Sequence, residues 1–268
     1  MSARYELGLI GAGNMAEAIV RGVLGCGLIE PRRIIAADPS AARREVFAGL
    51  GVEITADNAA ACDAEVVLLA VKPQVMDAVL TPLAGKVGAD SRVITIAAGI
   101  STRFVADRLG GDVRVVRVMP NTPMLVGRGA SGLAAGRHAT PEDLARAEAI
   151  FAAAGTTVLV DESLIDAITA VSGSGPAYFF YVVEAIVAAA KTIGLDESQA
   201  LTLAAQTMAG AAEMLAQTGK SPADLRRAVT SPGGTTAAAI QVFDDAKVGE
   251  AIVNAVAAAH RRAGELGT

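Results

Sequence analysis

The sequence has no tryptophan, few aromatic residues, and only two cysteines and two histidines among 268 residues. Cys26 and Cys62 are far apart, and neither belongs to a Cys-x-x-Cys pair. This scarcity argues against a disulfide-stabilised secreted fold, and it predicts two buried thiols in a reducing compartment. Because aromatic residues make up 3% of a chain that is 52% hydrophobic, the core must consist mostly of Ala, Val, Ile and Leu.

A surplus of basic residues is also lacking, since the formal net charge is −5. Nucleic-acid partners require a basic face, so the charge argues against them, although small anions can still be bound locally. The N-terminal stretch MSARYELGLI has no basic region followed by an apolar run, so no signal peptide is expected. The most apolar long stretch, from Ala177, is interrupted by Glu184 and Lys191, which leaves runs too short to span a bilayer. The sequence therefore predicts a cytoplasmic protein without a membrane partner.

The first part of the chain alternates short β-branched runs with helical segments. These runs are apolar on both faces, as buried parallel strands are. The alternation predicts an α/β fold with a mostly parallel, doubly wound sheet. Strands are predicted at residues 5–10, 33–38, 52–55, 65–71, 92–97 and 113–119, and segments 130–135 and 156–160 are predicted to extend the sheet.

After Asp161 the strand signals disappear, and the rest of the chain is predicted to be helical. We therefore expect two domains, a dinucleotide-binding domain over 1–162 and an all-α domain for dimerisation and substrate binding over 163–268. The helices of the second domain are long and apolar, and a bundle of this size cannot bury all of that surface, so a homodimer at least is expected. A monomer with a tight alanine core is the alternative. Helices are predicted at 163–171, 176–193, 197–217, 222–228, 235–243 and 246–266.

A glycine-rich turn directly follows the first predicted strand and opens a helix. Gly11, Gly13 and Ala16 form the pattern G-x-G-x-x-A, and in this context the pattern indicates a Rossmann-type dinucleotide site. Gly11 allows the tight turn, Gly13 lets the backbone approach the pyrophosphate, and Ala16 lets the helix pack on the strand. The helix N-terminus then offers unpaired N–H groups to the phosphates. The predicted contact residues are Gly11, Ala12, Gly13, Asn14 and Met15.

The choice of cofactor stays open at this point. Asp38 ends the second strand, where a carboxylate normally accepts hydrogen bonds from the ribose and repels a 2′-phosphate. Arg43 and Arg44 follow within the next helix and could offset that repulsion by pairing with the phosphate. Alternatively, Asp38 only caps the helix that begins near Ser40. NADP or NAD, in the reduced form, is therefore expected.

Small or amide residues follow four further predicted strands. Strand C-terminal ends are where such sheets bind ligands, so a nucleotide lying across these turns explains them better than four unrelated loops do. The candidates are Asn58, then Val71, Lys72 and Pro73, then Ala97, Ala98 and Gly99, and finally Asn121; no metal site is predicted.

Four segments resemble the pyrroline-5-carboxylate reductase family. They are VKPQVM at 71–76, RVMPNTPMLVGRGASG at 117–132, AVSGSGPAYFF at 170–180 and VTSPGGTT at 229–236. The resemblance covers essentially the whole chain, in order, and the last two segments are specific to that family rather than to Rossmann folds in general. It implies NAD(P)H-dependent reduction of Δ1-pyrroline-5-carboxylate to L-proline, the last step of proline biosynthesis.

The resemblance also implies an assembly and a division of roles. The helical domain interlocks with a partner, so that the nicotinamide comes from one chain and the substrate loop from the other, and dimers assemble into decamers in many members. Ala97 and Asn121 would lie near the nicotinamide, and Thr236 near the ring nitrogen. The substrate loop would comprise Ser231, Gly233, Gly234, Thr235 and Thr236.

The chemistry of the uncharged SPGGTT stretch agrees with an imine substrate. An alcohol dehydrogenase needs a general acid–base group, but His138 and His260 lie in a loop and in the last helix, and the helix after SGSGP has no lysine before Lys191. A cyclic imine protonates readily, so the enzyme mainly supplies orientation and backbone N–H groups for the carboxylate. The alternative is a purely structural role, a Pro-Gly-Gly turn in which Thr235 is the N-cap of a helix. A hydroxyacid dehydrogenase and a non-enzymatic nucleotide sensor are the competing functions.

Overall fold

An eight-stranded sheet dominates the first part of the computed structural model, which describes residues 4–267. Its strand order is β3-β2-β1-β4-β5-β6-β7-β8. Strands β1 to β6 are parallel to one another, β7 is antiparallel to β6, and β8 is parallel to β7. This confirms the predicted mostly parallel sheet and its extension. The strands are β1 Tyr5–Ile10, β2 Ile34–Ala37, β3 Glu53–Thr55, β4 Ala64–Leu69, β5 Arg92–Thr95, β6 Arg114–Met119, β7 Gly129–Ala135 and β8 Gly155–Leu159.

Helices cover both faces of this sheet, as in a doubly wound fold. Successive residues of β4 point to opposite faces, so Val66 belongs to one apolar cluster and Val67 to the other. Helices α1, α2 and α6 supply the first cluster, and α3, α4 and α5 supply the second. Their bounds are α1 Asn14–Gly25, α2 Ala41–Ala48, α3 Asn58–Ala61, α4 Met76–Leu80, α5 Thr102–Leu109 and α6 Pro141–Ala152.

Short helical pieces connect several of these elements, and longer helices follow them. Single 3-10 turns lie at Pro31–Arg33, Pro73–Val75, Thr81–Leu83, Thr122–Val126 and Glu162–Leu164. Helix α7, Ile165–Ile168, continues into a π-helical turn at Thr169–Gly173. The remaining helices are α8 Gly175–Thr192, α9 Glu197–Thr218, α10 Pro222–Ala228, α11 Thr235–Asp245 and α12 Val248–Leu266. The ends of α9 have residues that typically begin and end helices. Asp196 and Gln199 form a capping box at its start, and Gly219 ends it in a left-handed conformation.

The described residues divide into two compact units, 4–174 with 259–267, and 175–258. The first unit extends past residue 162 because the segment after it packs on the sheet. Glu162 accepts hydrogen bonds from the backbone and side chain of Thr102, and Ile168 contacts Gly132 so closely that a Cβ there would lie 2.8 Å from it. The point after which no further strands are predicted therefore marks a change of secondary structure. A functional boundary at residue 162 stays a prediction.

The two cysteines differ in exposure, so the prediction of two buried thiols is wrong for one of them. Cys26 follows α1 as its C-cap residue and is exposed. Cys62 is buried, and burial raises the pKa of its thiol to about 11. Both are free cysteines. Cys26 is exposed because it is the C-cap residue and lies past the buried turns of α1, which end with Val23.

The second unit leaves much of its apolar surface exposed. Phe179 and Leu203, on α8 and α9, are 61% and 58% exposed and line a groove of about 370 Å³ within this unit. Glu162–Thr192 is the one described helical stretch that has the length and apolar composition of a membrane span, which by itself is weak evidence. A face this apolar on helices that bury few side chains indicates contact with another molecule.

We predict that Leu203→Glu weakens self-association of the chain. Burying a leucine contributes about 1.5–3 kcal/mol, so losing it at a contact between copies raises the dissociation constant by at least about tenfold. Sedimentation velocity over a concentration series measures the effect. Ser198→Glu is the matched control, because it adds the same charge to α9 at an exposed polar position. If Leu203→Glu sediments like the parent chain at every concentration, this face is not the interface.

Candidate functional site

Gly11 shapes the turn between β1 and α1. Its N–H donates to the carbonyl of Ala37 at 2.8 Å, and its φ is +96°. A Cβ at this position would lie 2.9 Å from the carbonyl group of Ala70 and from the Val71 side chain. Only glycine therefore fits both the left-handed backbone and the contact with the end of β4.

Gly13, unlike Gly11, has open space around it, and this space fits a dinucleotide. It precedes Asn14 and Met15 as the N-cap of α1, with an extended backbone and no side-chain hydrogen bond to the helix. A Cβ built on Gly13 would have no atom within 4 Å, so the space in front of it is open. The first turn of α1 thus faces open space with uncapped N–H groups, which is what a pyrophosphate requires.

The peptide of Ala12 is held from two sides. Asp38 accepts a hydrogen bond from the Ala12 N–H at 2.8 Å, and its other oxygen accepts one from the Ser40 N–H at 2.8 Å. Arg43 donates from Nε to the Ala12 carbonyl. Ser40, rather than Asp38, is the N-cap of α2, since its hydroxyl accepts from the Arg43 N–H. Asp38 therefore joins the end of β2 to the glycine-rich turn.

Both arginines near Asp38 are bonded to protein groups. Arg43 pairs with Glu17 of α1 at 2.8 Å, and Arg44 donates to the carbonyls of Asp38 and Pro39 at 2.7 and 2.9 Å. The hydrogen bond from Arg43 lowers the pKa of Glu17, and Arg21 acts in the same direction while burial opposes it. Glu17 is thus ionised and carries two arginine partners. The two arginines that were candidates for binding a 2′-phosphate therefore bind protein groups instead.

The other predicted cofactor residues lie at the same edge of the sheet, because β1 to β6 are parallel. Asn58 begins α3 after β3, and Lys72 is exposed after β4 between Val71 and Pro73. After β5, Ala97 is buried, and Ala98 and Gly99 follow with partial exposure. Gly99 has φ +74°, and a Cβ there would lie 2.5 Å from the carbonyl oxygen of Leu266. The structure thus brings these residues to the carboxyl edge that such folds use for ligands.

Asn121 has a structural role that the sequence did not reveal. Its side chain is buried, its Nδ2 donates to the carbonyl of Ser172 at 3.0 Å, and its Oδ1 accepts from the Ala130 N–H at 2.8 Å. It therefore ties β7 to the π-helical turn at Thr169–Gly173. A Cβ on Gly173 would lie 2.8 Å from the Met119 side chain, so this turn packs tightly on the end of β6. A π turn was not predicted, because no simple sequence signal distinguishes it from an α-helix.

The predicted substrate loop lies in the second unit and is built around two glycines. Gly233 has φ +69°, and the Gly234 N–H donates to the Ser231 carbonyl at 3.0 Å. A Cβ on Gly234 would lie 2.5 Å from the Ser231 hydroxyl, so this hydroxyl lies directly against the loop backbone. Gly234, rather than Thr235, is the N-cap of α11, and no side chain caps this helix. The N-terminal N–H groups of α11 are consequently uncapped by side chains.

Thr235 and Thr236 open α11 with their hydroxyls uncommitted. Among residues 4–267, neither hydroxyl has a hydrogen-bond partner, and Thr236 is half-buried. Hydroxyls, uncapped amides and no charged side chain within 231–236 give a neutral donor cluster. Such a cluster is suited to one carboxylate and one ring nitrogen.

A glycine-shaped turn at a switch in strand order, with an acidic residue after β2, defines a dinucleotide-dependent oxidoreductase of the Rossmann type. Family models agree with this class: residues 6–99 match "NADP oxidoreductase coenzyme F420-dependent", and residues 162–266 match "Pyrroline-5-carboxylate reductase dimerisation". The chain belongs to the pyrroline-5-carboxylate reductase family, and it contains the dimerisation domain of that family, which indicates a homo-oligomer.

Full-length relatives support this membership. The pyrroline-5-carboxylate reductase of Methanosarcina acetivorans is 44% identical, over 98% of both chains. A solved pyrroline-5-carboxylate reductase from Coxiella burnetii is 39% identical and superposes over the whole of both chains with a TM-score of 0.93. The Plasmodium falciparum structure, solved with NADP bound, is 26% identical over the whole of both chains, with a TM-score of 0.89.

Substitution by alanine should separate the roles of the two turn glycines. Gly13→Ala is expected to change the free energy of unfolding by less than about 1 kcal/mol, while weakening dinucleotide binding at least about tenfold, because its Cβ enters the open space. Gly11→Ala is expected to lower the free energy of unfolding by about 1–3 kcal/mol, from the left-handed φ and the contact with Ala70. Urea denaturation and calorimetric titration measure both quantities. Unchanged binding by Gly13→Ala would show that the pyrophosphate lies elsewhere.

Replacing Asn121 should destabilise the first unit. Asn121→Ala leaves the Ala130 N–H and the Ser172 carbonyl without their partner, and we expect a loss of about 2 kcal/mol in the free energy of unfolding. Urea denaturation followed by circular dichroism checks this. Asn254→Ala, at an exposed position on α12, is the control and should change stability by less than about 0.5 kcal/mol. A loss no larger than that of the control would contradict the bridging role.

Proposed function

We propose that this chain reduces L-1-pyrroline-5-carboxylate to L-proline with NADPH or NADH, as the last step of proline biosynthesis. The observation that carries the proposal is the neutral loop at 231–236, with an uncapped helix N-terminus and free threonine hydroxyls. Full-length similarity to named pyrroline-5-carboxylate reductases supports it. The glycine-shaped turn at Gly11 and Gly13 supports the cofactor.

The substrate determines what the protein has to supply. A cyclic imine protonates at nitrogen near neutral pH, so its C=N carbon is electrophilic before it reaches the site. The reduced nicotinamide, when bound, supplies a hydride to that carbon and becomes oxidised, and the π electron pair of the C=N bond remains on nitrogen as the lone pair of the amine. The chain therefore needs to orient the ring and to bind one carboxylate, and orientation is worth several kcal/mol.

We assign these tasks to individual groups of the loop. The N–H groups at the start of α11, together with the Ser231 and Thr235 hydroxyls, bind the carboxylate, with Gly233 and Gly234 letting the ligand approach the backbone. The Thr236 hydroxyl forms a hydrogen bond with the ring nitrogen and fixes the face that is presented for reduction. A cation beside that nitrogen would disfavour the iminium, so the absence of charge within 231–236 is part of the chemistry.

The histidines of the chain do not take part in this scheme. His138 lies in a loop, 3.6 Å from Asp112, and His260 lies on α12. Proton uptake by the free imine in solution replaces a general acid, so neither histidine is needed.

The assembly that we propose is a homodimer with a shared active site, in which one chain binds the dinucleotide and its partner contributes the loop at 231–236. A dimer alone and a decamer built from five such dimers are the two alternatives for the complete assembly. The exposed apolar faces of α8 and α9 support the first step, since they need a partner. Two free cysteines are consistent with a cytoplasmic location.

Thr236→Ala should reduce catalysis without affecting the dinucleotide. Losing one hydrogen bond to a charged group costs about 1.5–3 kcal/mol, so kcat/KM for pyrroline-5-carboxylate should fall about 10- to 100-fold. Steady-state assays at saturating NADPH and NADH measure this, and calorimetry should show unchanged dinucleotide binding. Thr236→Ser should keep most of the activity, because it restores the hydroxyl.

Thr192→Ala is the matched control, since it removes a hydroxyl that donates to the Ala189 carbonyl within the same helix. An unaffected rate in Thr236→Ala would remove Thr236 from the mechanism. No turnover of pyrroline-5-carboxylate by the parent chain with either cofactor would overturn the proposed function itself.

A further inference from the structure

We infer that Glu17 is a specificity-determining residue, which makes this chain prefer NADH to NADPH by holding Arg43 away from the adenosine 2′-phosphate. The inference rests on the proposed function only in that a nicotinamide dinucleotide binds at the Gly11–Gly13 turn. The two cofactors differ by one phosphate on the adenosine ribose. A site that accepts NADPH must offer a cation to that phosphate and keep carboxylates away from it.

Asp38 keeps a carboxylate directly after β2. In Rossmann sites the ribose hydroxyls lie beside the residue that ends β2. Here both carboxylate oxygens are fixed by backbone N–H groups, of Ala12 and Ser40, each at 2.8 Å. Turning the carboxylate away from a phosphate would break two charge-assisted hydrogen bonds, so the negative charge stays at the ribose edge.

Arg43 is the cation that could neutralise this edge. Arg43 uses Nε for the Ala12 carbonyl and Nη2 for Glu17, so the guanidinium is fixed at both ends. The side chains of Arg43 and Glu17 are 27% and 18% exposed, so solvent screens the pair only partly. Glu17 thus makes Arg43 unavailable to a 2′-phosphate in two ways. It compensates the positive charge of Arg43, and it fixes the direction in which the guanidinium points.

The other arginines nearby do not replace Arg43. Arg44 donates its Nη1 to two carbonyl oxygens, those of Asp38 and Pro39. Arg21 pairs with Glu17 through its Nη2 at 2.8 Å, one turn further along α1. Among residues 4–267, the guanidinium groups of Arg43 and Arg44 beside Asp38 both donate to protein groups. The edge around Asp38 therefore keeps its carboxylate, which suits ribose hydroxyls and repels a phosphate.

Glu17→Gln and the double variant Glu17→Gln/Arg43→Ala test the inference through binding alone. Calorimetric titration of the full chain with NADH and with NADPH gives both dissociation constants, independently of any turnover. We expect the parent to bind NADH at least about tenfold more tightly, and Glu17→Gln to narrow that ratio by about 5- to 10-fold through tighter NADPH binding, since a freed arginine can pair with the phosphate. The double variant should lose this gain, because it lacks the arginine.

Glu30→Gln is the matched control, because it removes another glutamate–arginine pair, with Arg32, on an exposed 3-10 turn. Three results would each overturn the inference: equal binding of the two cofactors by the parent, an unchanged ratio in Glu17→Gln, or a gain that survives in the double variant. Circular dichroism confirms that each variant is folded. A chain that binds NADH preferentially but does not reduce pyrroline-5-carboxylate would refute the proposed function and leave this inference standing.

Discussion

The clamp on the Ala12 peptide is the interaction on which the dinucleotide edge depends. Asp38 holds its N–H and Arg43 holds its carbonyl, while Gly11 turns the chain in a space that admits no side chain. These contacts join the chain segments that follow β1 and β2 to α2. These contacts support the open space in front of Gly13, and we expect a bound pyrophosphate to take its orientation from it.

The helical unit works under a different constraint, because its helices bury few of their own side chains. No residue of α11 is buried, yet this helix carries the loop to which we assign the substrate. A neutral cluster of hydroxyls and amides gains strength when water is excluded. Covering the apolar faces of α8 and α9 with a second copy would serve stability and, at the proposed substrate loop, chemistry together.

Much of the fold could be predicted from the sequence. Buried parallel strands consist of runs of β-branched residues, and helix ends have local capping residues such as Asp196 and Gly219. The glycine-rich turn was predictable for the same reason, because its chemistry lies within a few residues. Three other features could not be predicted from the sequence. They are the clamp on Ala12, the pairing of Arg43 with Glu17 and the bridge made by Asn121. Each joins residues that only the folded sheet brings together, and either partner alone is unremarkable in the sequence.

The central claim is that a dinucleotide held by the sheet edge reduces the C=N carbon of a cyclic imino acid. The most direct test supplies pyrroline-5-carboxylate with a cofactor deuterated at the transferable position of the nicotinamide, and examines the proline by NMR. We predict one deuterium on the ring carbon that was the imine carbon, on a single face. Proline that carries no deuterium at that carbon, or label distributed over both faces, would contradict it.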